Sequence, residues 1–115
     1  VITLERFNKS NWVDPRFEYH KEVKGHKTFL GARINGYFIG YIAYLEAQGK
    51  LSVLYIEVDK QYRNRGIATL LVMKLLDDFR PTSLDLFPGT IEGQMFWNAL
   101  RDKGLLPANT NMGGV

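Results

Sequence analysis

Three apolar stretches stand close together in the middle of the chain: Thr28 to Ile34, Tyr37 to Leu45 and Leu51 to Val58. Asn35-Gly36 separates the first two. An Asn-Gly pair between apolar strands predicts a type I′ turn, because both turn positions need positive φ. Gln48-Gly49-Lys50 makes a second turn, so this region predicts a three-stranded antiparallel meander. Upstream, Val1 to Phe7 reads as a first strand. Asp14-Pro15 reads as an N-cap with proline at the first helical position, predicting a short helix to about Val23 that Gly25 ends.

Downstream the period changes. From Gly66 to Phe79, Ile67, Leu70, Leu71, Leu75 and Phe79 fall near one helical face, and Val72, Met73 and Leu76 widen the stripe. This predicts a deeply packed helix that Pro81 ends. Ser83 to Phe87 predicts a short strand and Pro88-Gly89 a turn. Ile91 to about Lys103 predicts a second amphipathic helix with Gly104 at its C-terminal cap. The segment from Pro107 to Val115 is rich in Gly and Asn and reads as loose. The order of elements predicts an α/β (α+β) fold: a mainly antiparallel sheet flanked by helices.

Composition narrows the reading only a little. A length of 115 residues predicts one domain, and 45% hydrophobic residues are enough for a core. No apolar run approaches a membrane span, and Val1 to Lys27 has no long apolar stretch of the signal-peptide kind. The absence of cysteine excludes disulfides, thiolate metal ligands and a cysteine nucleophile, and fits a cytoplasmic setting. His20 and His26 are far in sequence from any carboxylate cluster, so no metal site is expected. A net charge of +3 permits anionic ligands without calling for nucleic acid.

The chemistry concentrates between the third meander strand and the first long helix. Gln61 to Leu71 reads QYRNRGIATLL. The first turn of a helix leaves backbone N–H groups without partners, and its dipole favours anions. Gly66 lets a ligand approach the backbone, while Lys60, Arg63 and Arg65 add positive charge. Together they predict a phosphate cradle whose amides run from about Arg63 to Ala68, with a Thr69 hydroxyl beside them.

In this setting Arg63-Asn64-Arg65-Gly66-Ile67-Ala68 resembles the signature loop of the GNAT acyltransferases, Arg/Gln-x-x-Gly-x-Gly/Ala. The preceding Val58-Asp59-Lys60-Gln61-Tyr62 is similar to the family's strand end. Thr90-Ile91-Glu92-Gly93-Gln94-Met95-Phe96-Trp97 matches the spacing of a second family element, with Thr90 at an asparagine position, Gly93 at an alanine position and Trp97 at a tyrosine position. The resemblance covers about Thr28 to Gly104. It implies splayed strands after Leu51 and Thr82, and a cleft that takes acetyl-coenzyme A as cosubstrate. Arg63 to Thr69 would hold the pyrophosphate, Val58 would offer backbone groups to the pantetheine arm, and Thr90, Gly93 and Trp97 would complete the cofactor side. The family's second inter-strand helix and its last two strands are missing here. Only Leu105-Leu106 could begin a further strand, and Pro107 interrupts it.

Acyl transfer to an amine needs the neutral amine, so a base is required. Glu57 is the candidate, with its side chain expected beside Tyr55 and Val53 and opposite Ile56 and Val58. Tyr55 is the second candidate, as relay or acid. In the resembled family the tyrosine often protonates the leaving thiolate; Trp97 has an indole N–H but no proton of suitable pKa. Direct transfer in a ternary complex follows, since no nucleophilic cysteine or Gly-x-Ser-x-Gly elbow is present. The acceptor would be an amine on a small molecule or protein, and a homodimer is permitted. The alternatives are a catalytically inactive coenzyme A-binding module and a basic domain that contacts protein or nucleic acid.

Overall fold

A computed structural model describes residues 1–8 and 28–113. The helix expected between Asp14 and Val23, and both histidines, lie outside the described residues. Six strands form one sheet in sequential order: β1 (Thr3–Asn8), β2 (Thr28–Ile34), β3 (Tyr37–Ala47), β4 (Lys50–Val58), β5 (Ser83–Leu86) and β6 (Thr110–Asn111). The first four pair antiparallel; β5 and β6 join as parallel neighbours. α1 (Ile67–Phe79) links β4 to β5, and α2 (Ile91–Asp102) links β5 to β6. The sheet is therefore mixed, with the antiparallel meander at its centre, as the α/β reading expects. The strand beyond Pro107 is Thr110–Asn111, bonded to Leu84 and Asp85, rather than one begun at Leu105-Leu106. Among the described residues no helix is long and apolar enough to cross a membrane.

Both meander turns place two successive residues at positive φ: Asn35 and Gly36 at 51° and 84°, Gln48 and Gly49 at 54° and 83°. The first is what an Asn-Gly pair predicts. The second imposes the same geometry on a glutamine.

The sheet separates two apolar clusters. The larger contains Leu30, Ile42, Leu51 and Val53 from the strands, Ile67, Leu71, Val72 and Leu75 from α1, and Trp97 and Leu100 from α2. The smaller is aromatic, built on Phe7, Phe29, Phe38 and Tyr41, with Leu54 and Tyr55 packed against it. The phenylalanine rings lie close, Phe7 to Phe29 at 5.1 Å and Phe7 to Phe38 at 4.8 Å between centroids. The expected deep packing of α1 holds on one side only, since Leu70 is 40% exposed.

Strict alternation fails in β4. Tyr44 faces Val53 and Ala43 faces Tyr55, so Leu54 is an extra residue in the ladder, a β-bulge. Val53 therefore joins Ile56 and Val58 in the larger cluster, while Tyr55 packs against the aromatic one. The expectation that Val53 lies beside Tyr55 and Glu57 is corrected: one inserted residue reverses the parity of the strand. β4–β5 pairing also stops there, with Val53 opposite Leu86 as the last partners. A bulge bends its strand, and Pro88 has no N–H to continue a ladder from the other side. The two strands diverge beyond this point.

Candidate active site

The divergence opens a cleft of about 910 Å³ between the end of β4, the start of α1 and the β5–α2 connection. Its walls include Tyr55, Glu57 and Val58 from β4, and Arg63, Asn64, Gly66, Ile67, Ala68 and Thr69 from the loop and first turn of α1. Thr90, Gly93 and Trp97 line the opposite side. Sequence-named residues as far apart as Tyr55 and Trp97 are thus brought to one cavity. Arg65 is the exception: it lies off the walls, exposed, with its guanidinium 5.5 Å from the Tyr62 ring centroid.

A short 3-10 turn, Lys60–Tyr62, carries the chain from β4 into the loop. The Asp59 carboxylate caps it, accepting from the Gln61 N–H at 3.0 Å. The Arg63 N–H turns back to the Lys60 carbonyl at 3.5 Å, within this turn. Asn64 then takes φ 63° and Gly66 φ 80°, two left-handed residues that fold the chain sharply onto α1. No side chain caps α1, and no acid stands in its first turn. Its leading amides and dipole therefore face the cleft without a built-in anion. A Cβ placed on Gly66 would meet nothing within 4 Å, so the space above that backbone is open.

α2 begins differently. The Thr90 hydroxyl accepts from the Gly93 N–H at 3.0 Å and caps the helix. Thr90 and Gly93 border the cleft, with this hydrogen bond spent on the helix start. Trp97 is 4% exposed and packs edge-on against Phe96, centroids 5.0 Å apart. It is a buried wall.

Backbone direction at the end of β4 follows from one bond. The Asp59 N–H donates to the Ile39 carbonyl on β3 at 2.8 Å. Strand residues turn their backbone groups to alternate sides, so Val58 and Ile56 turn theirs away from β3, into the gap left by β5. On the aromatic side of the same strand the Tyr55 hydroxyl donates to Glu57 Oε2 at 3.2 Å. Arg63 Nη2 stands 3.6 Å from Glu57 Oε1, and the Glu57 side chain is 10% exposed.

Sequence reasoning passed over Tyr62, Phe87, Pro88 and Glu92, which also border the cleft. Pro88 was legible only as a turn residue, and nothing in the local pattern distinguishes Glu92 from any acid in a first helical turn. Asp85 lies off the cleft walls and pairs with Lys50 at 2.8 Å. Among the described residues no group of three or more His, Cys, Asp or Glu could hold a metal.

Solved structures share this architecture. A ribosomal-protein-alanine N-acetyltransferase from Escherichia coli superposes with TM-score 0.70 at 14% identity, over 87% of this chain and 76% of that one. An aminoglycoside N-acetyltransferase in complex with CoA gives 0.63 at 16% identity, over 85% and 89%. An acetyltransferase described from Deinococcus radiodurans gives 0.63 at 21% identity, over 94% and 84%. No curated protein sequence matches the chain. At these identities the likeness is one of fold; the sequence carries the assignment further, since residues 3–87, from β1 through the loop to the end of β5, match the profile of the acetyltransferase (GNAT) family, and the chain belongs to that family.

Proposed function

We propose that the protein transfers an acetyl group from acetyl-coenzyme A directly to an amine in a ternary complex. The observation that carries this reading is a meeting of two unsatisfied backbones. β4 loses its neighbour after Val53, and the uncapped start of α1 opens onto the same cleft. Acetyl-coenzyme A fits both. Its diphosphate matches the α1 amides above Gly66, where the space is open. Its pantetheine amides match the outward backbone groups of Ile56, and the Val58 N–H is left for the acyl end. Gly66, Ile67, Ala68 and Thr69 would hold the phosphates, with Asn64 and Arg65 at the loop and Trp97 as a wall beside the arm.

When bound, acetyl-coenzyme A supplies a thioester, an acyl carbon open to amine attack with a sulfur that leaves as thiolate. Glu57 takes a proton from the acceptor ammonium, directly or through water. The Tyr55 hydroxyl, bonded to Glu57 Oε2, orients that carboxylate and is the second proton-carrying group of the site. The Val58 N–H is the fixed donor for the acyl oxygen as negative charge builds on it. Trp97 excludes water and donates no proton. The acceptor is an amine of a small molecule or a protein; the names of two structural neighbours, both N-acetyltransferases, support a nitrogen acceptor.

Two measurements test the reading. Calorimetry with coenzyme A and acetyl-coenzyme A should give saturable binding. Thiol release should then depend on amine across a panel of a polyamine, a lysine ester and a peptide with a free N-terminus. Binding with no amine-dependent release would move the protein to a coenzyme A-binding module. No binding would end the cofactor reading altogether.

A further inference from the structure

Arg63 opens the basic loop, and its charge suggests a phosphate ligand. Its side chain is engaged elsewhere. Arg63 Nε donates to the Val58 carbonyl at 2.9 Å, and Nη2 lies 3.6 Å from Glu57 Oε1. The guanidinium fork thus spans two successive residues of β4, one through backbone and one through side chain.

Both contacts have a physical reason. The Val58 carbonyl points into the gap where β5 has diverged, so the sheet provides no N–H for it. Outside the ladder that acceptor is left to water or a side chain, and Arg63 supplies the donor in an exposed hydrogen bond. The Glu57 side chain is 10% exposed and that of Arg63 50%, so the ion pair is shielded from water on the carboxylate side. A planar fork reaches two acceptors at once; an ammonium on a flexible stem does not hold that geometry. Swinging Arg63 out to a diphosphate would release both acceptors together. Arg65 has no such commitment: it is exposed over Tyr62 and free to meet an anion.

We infer that the Arg63 side chain is a positioning residue, a brace that fixes the end of β4 and the Glu57 carboxylate, and that it is not a phosphate ligand. This rests on the acetyl-transfer reading for its consequence, since the brace holds the Glu57 carboxylate toward the acceptor amine. The phosphate charge falls to the α1 amides and to Arg65.

Three readouts test it on folded variants matched by thermal melting. In calorimetry at low and high salt, Arg63→Ala should bind acetyl-coenzyme A within ~3-fold of the unsubstituted protein and keep its salt dependence. A charge-assisted phosphate contact would instead cost ~10-fold or more and flatten that dependence. In hydrogen exchange, the Asp59 amide should exchange faster in Arg63→Ala, and Arg63→Lys should not restore it. In turnover, Arg63→Ala should lower kcat ~10-fold or more, and the pair Arg63→Ala with Glu57→Gln should fall no further than Glu57→Gln alone. Lost affinity with unchanged Asp59 exchange overturns the brace, as do additive losses in kcat. If the unsubstituted protein binds no acetyl-coenzyme A, the acetyl-transfer reading fails, and the exchange comparison still decides whether Arg63 braces β4.

Discussion

At the scale of the residue, two side chains divide the work of the cleft. Glu57 sits shielded at the end of β4, with Tyr55 and Arg63 on its two oxygens. Glu57→Gln keeps the shape and removes the proposed proton acceptor. We expect turnover to fall about 100-fold or more with acetyl-coenzyme A affinity nearly unchanged. An unaltered rate and pH profile would leave Glu57 with a structural role only. Trp97 stands where a proton donor could have stood and is packed instead. Trp97→Phe keeps an aromatic wall and should preserve much of the turnover. Trp97→Ala removes a ring that is 4% exposed and should destabilise the fold by about 3–5 kcal/mol, read from denaturant unfolding. A folded Trp97→Phe variant that binds normally yet turns nothing over would assign the indole N–H a direct part.

At the scale of the element, the two helices start in opposite ways. α2 caps itself with Thr90, while α1 leaves its first amides to the cleft behind a left-handed Gly66. Gly66 is therefore the position where a side chain should separate binding from folding. Its Cβ would meet nothing, so the cost to stability is the backbone strain of a left-handed non-glycine, about 1–2 kcal/mol. The same Cβ and its branches would fill the space above the amides. Gly66→Val should lower acetyl-coenzyme A affinity at least ~10-fold, about 1.4 kcal/mol. Unchanged calorimetric affinity in a folded variant would remove the cradle assignment.

At the scale of the whole molecule, an ion cluster ties β1 to α1. Asp78 meets Arg6 at 2.7 Å and Lys74 at 3.1 Å, and Arg6 lies over the Phe79 ring. The Arg6 contact joins Asp78 to a residue 72 positions away. The hydrogen bond from Lys74 is the largest influence and lowers the Asp78 carboxyl below the usual carboxylate range; burial opposes it, and the hydrogen bond from Arg6 adds to the lowering. A depressed folded pKa stabilises above the unfolded value, about 3.9, and that contribution is lost as pH falls through the folded value. Asp78→Asn should therefore unfold at lower denaturant than the unsubstituted protein at neutral pH. The difference should close as the solution is acidified below pH ~4, and shrink in high salt. A gap that persists unchanged in acid would mean Asp78 acts by shape and not by charge.

Features that depend on neighbours along the chain are legible without the fold. Asn35-Gly36 dictates its turn because few residues accept positive φ twice running. The spacing of Ile67, Leu71 and Leu75 dictates the buried face of α1, and Gly66 before it marks the sharp entry of the loop. The basic loop and the strand–loop–helix order were enough to point to the family. The tertiary structure decided what depends on pairing across the sheet. The bulge at Leu54 has no local signature, since an extra residue in a ladder is set by the partner strand's register. That one residue put Val53 in the helix-side core and left Tyr55 and Glu57 together on the aromatic side. The side-chain direction of Arg63 was equally invisible, because the carbonyl that holds it is orphaned only where β5 turns away. Local conformational preference writes the elements, and the meeting of distant backbones decides which of their groups remain to be satisfied.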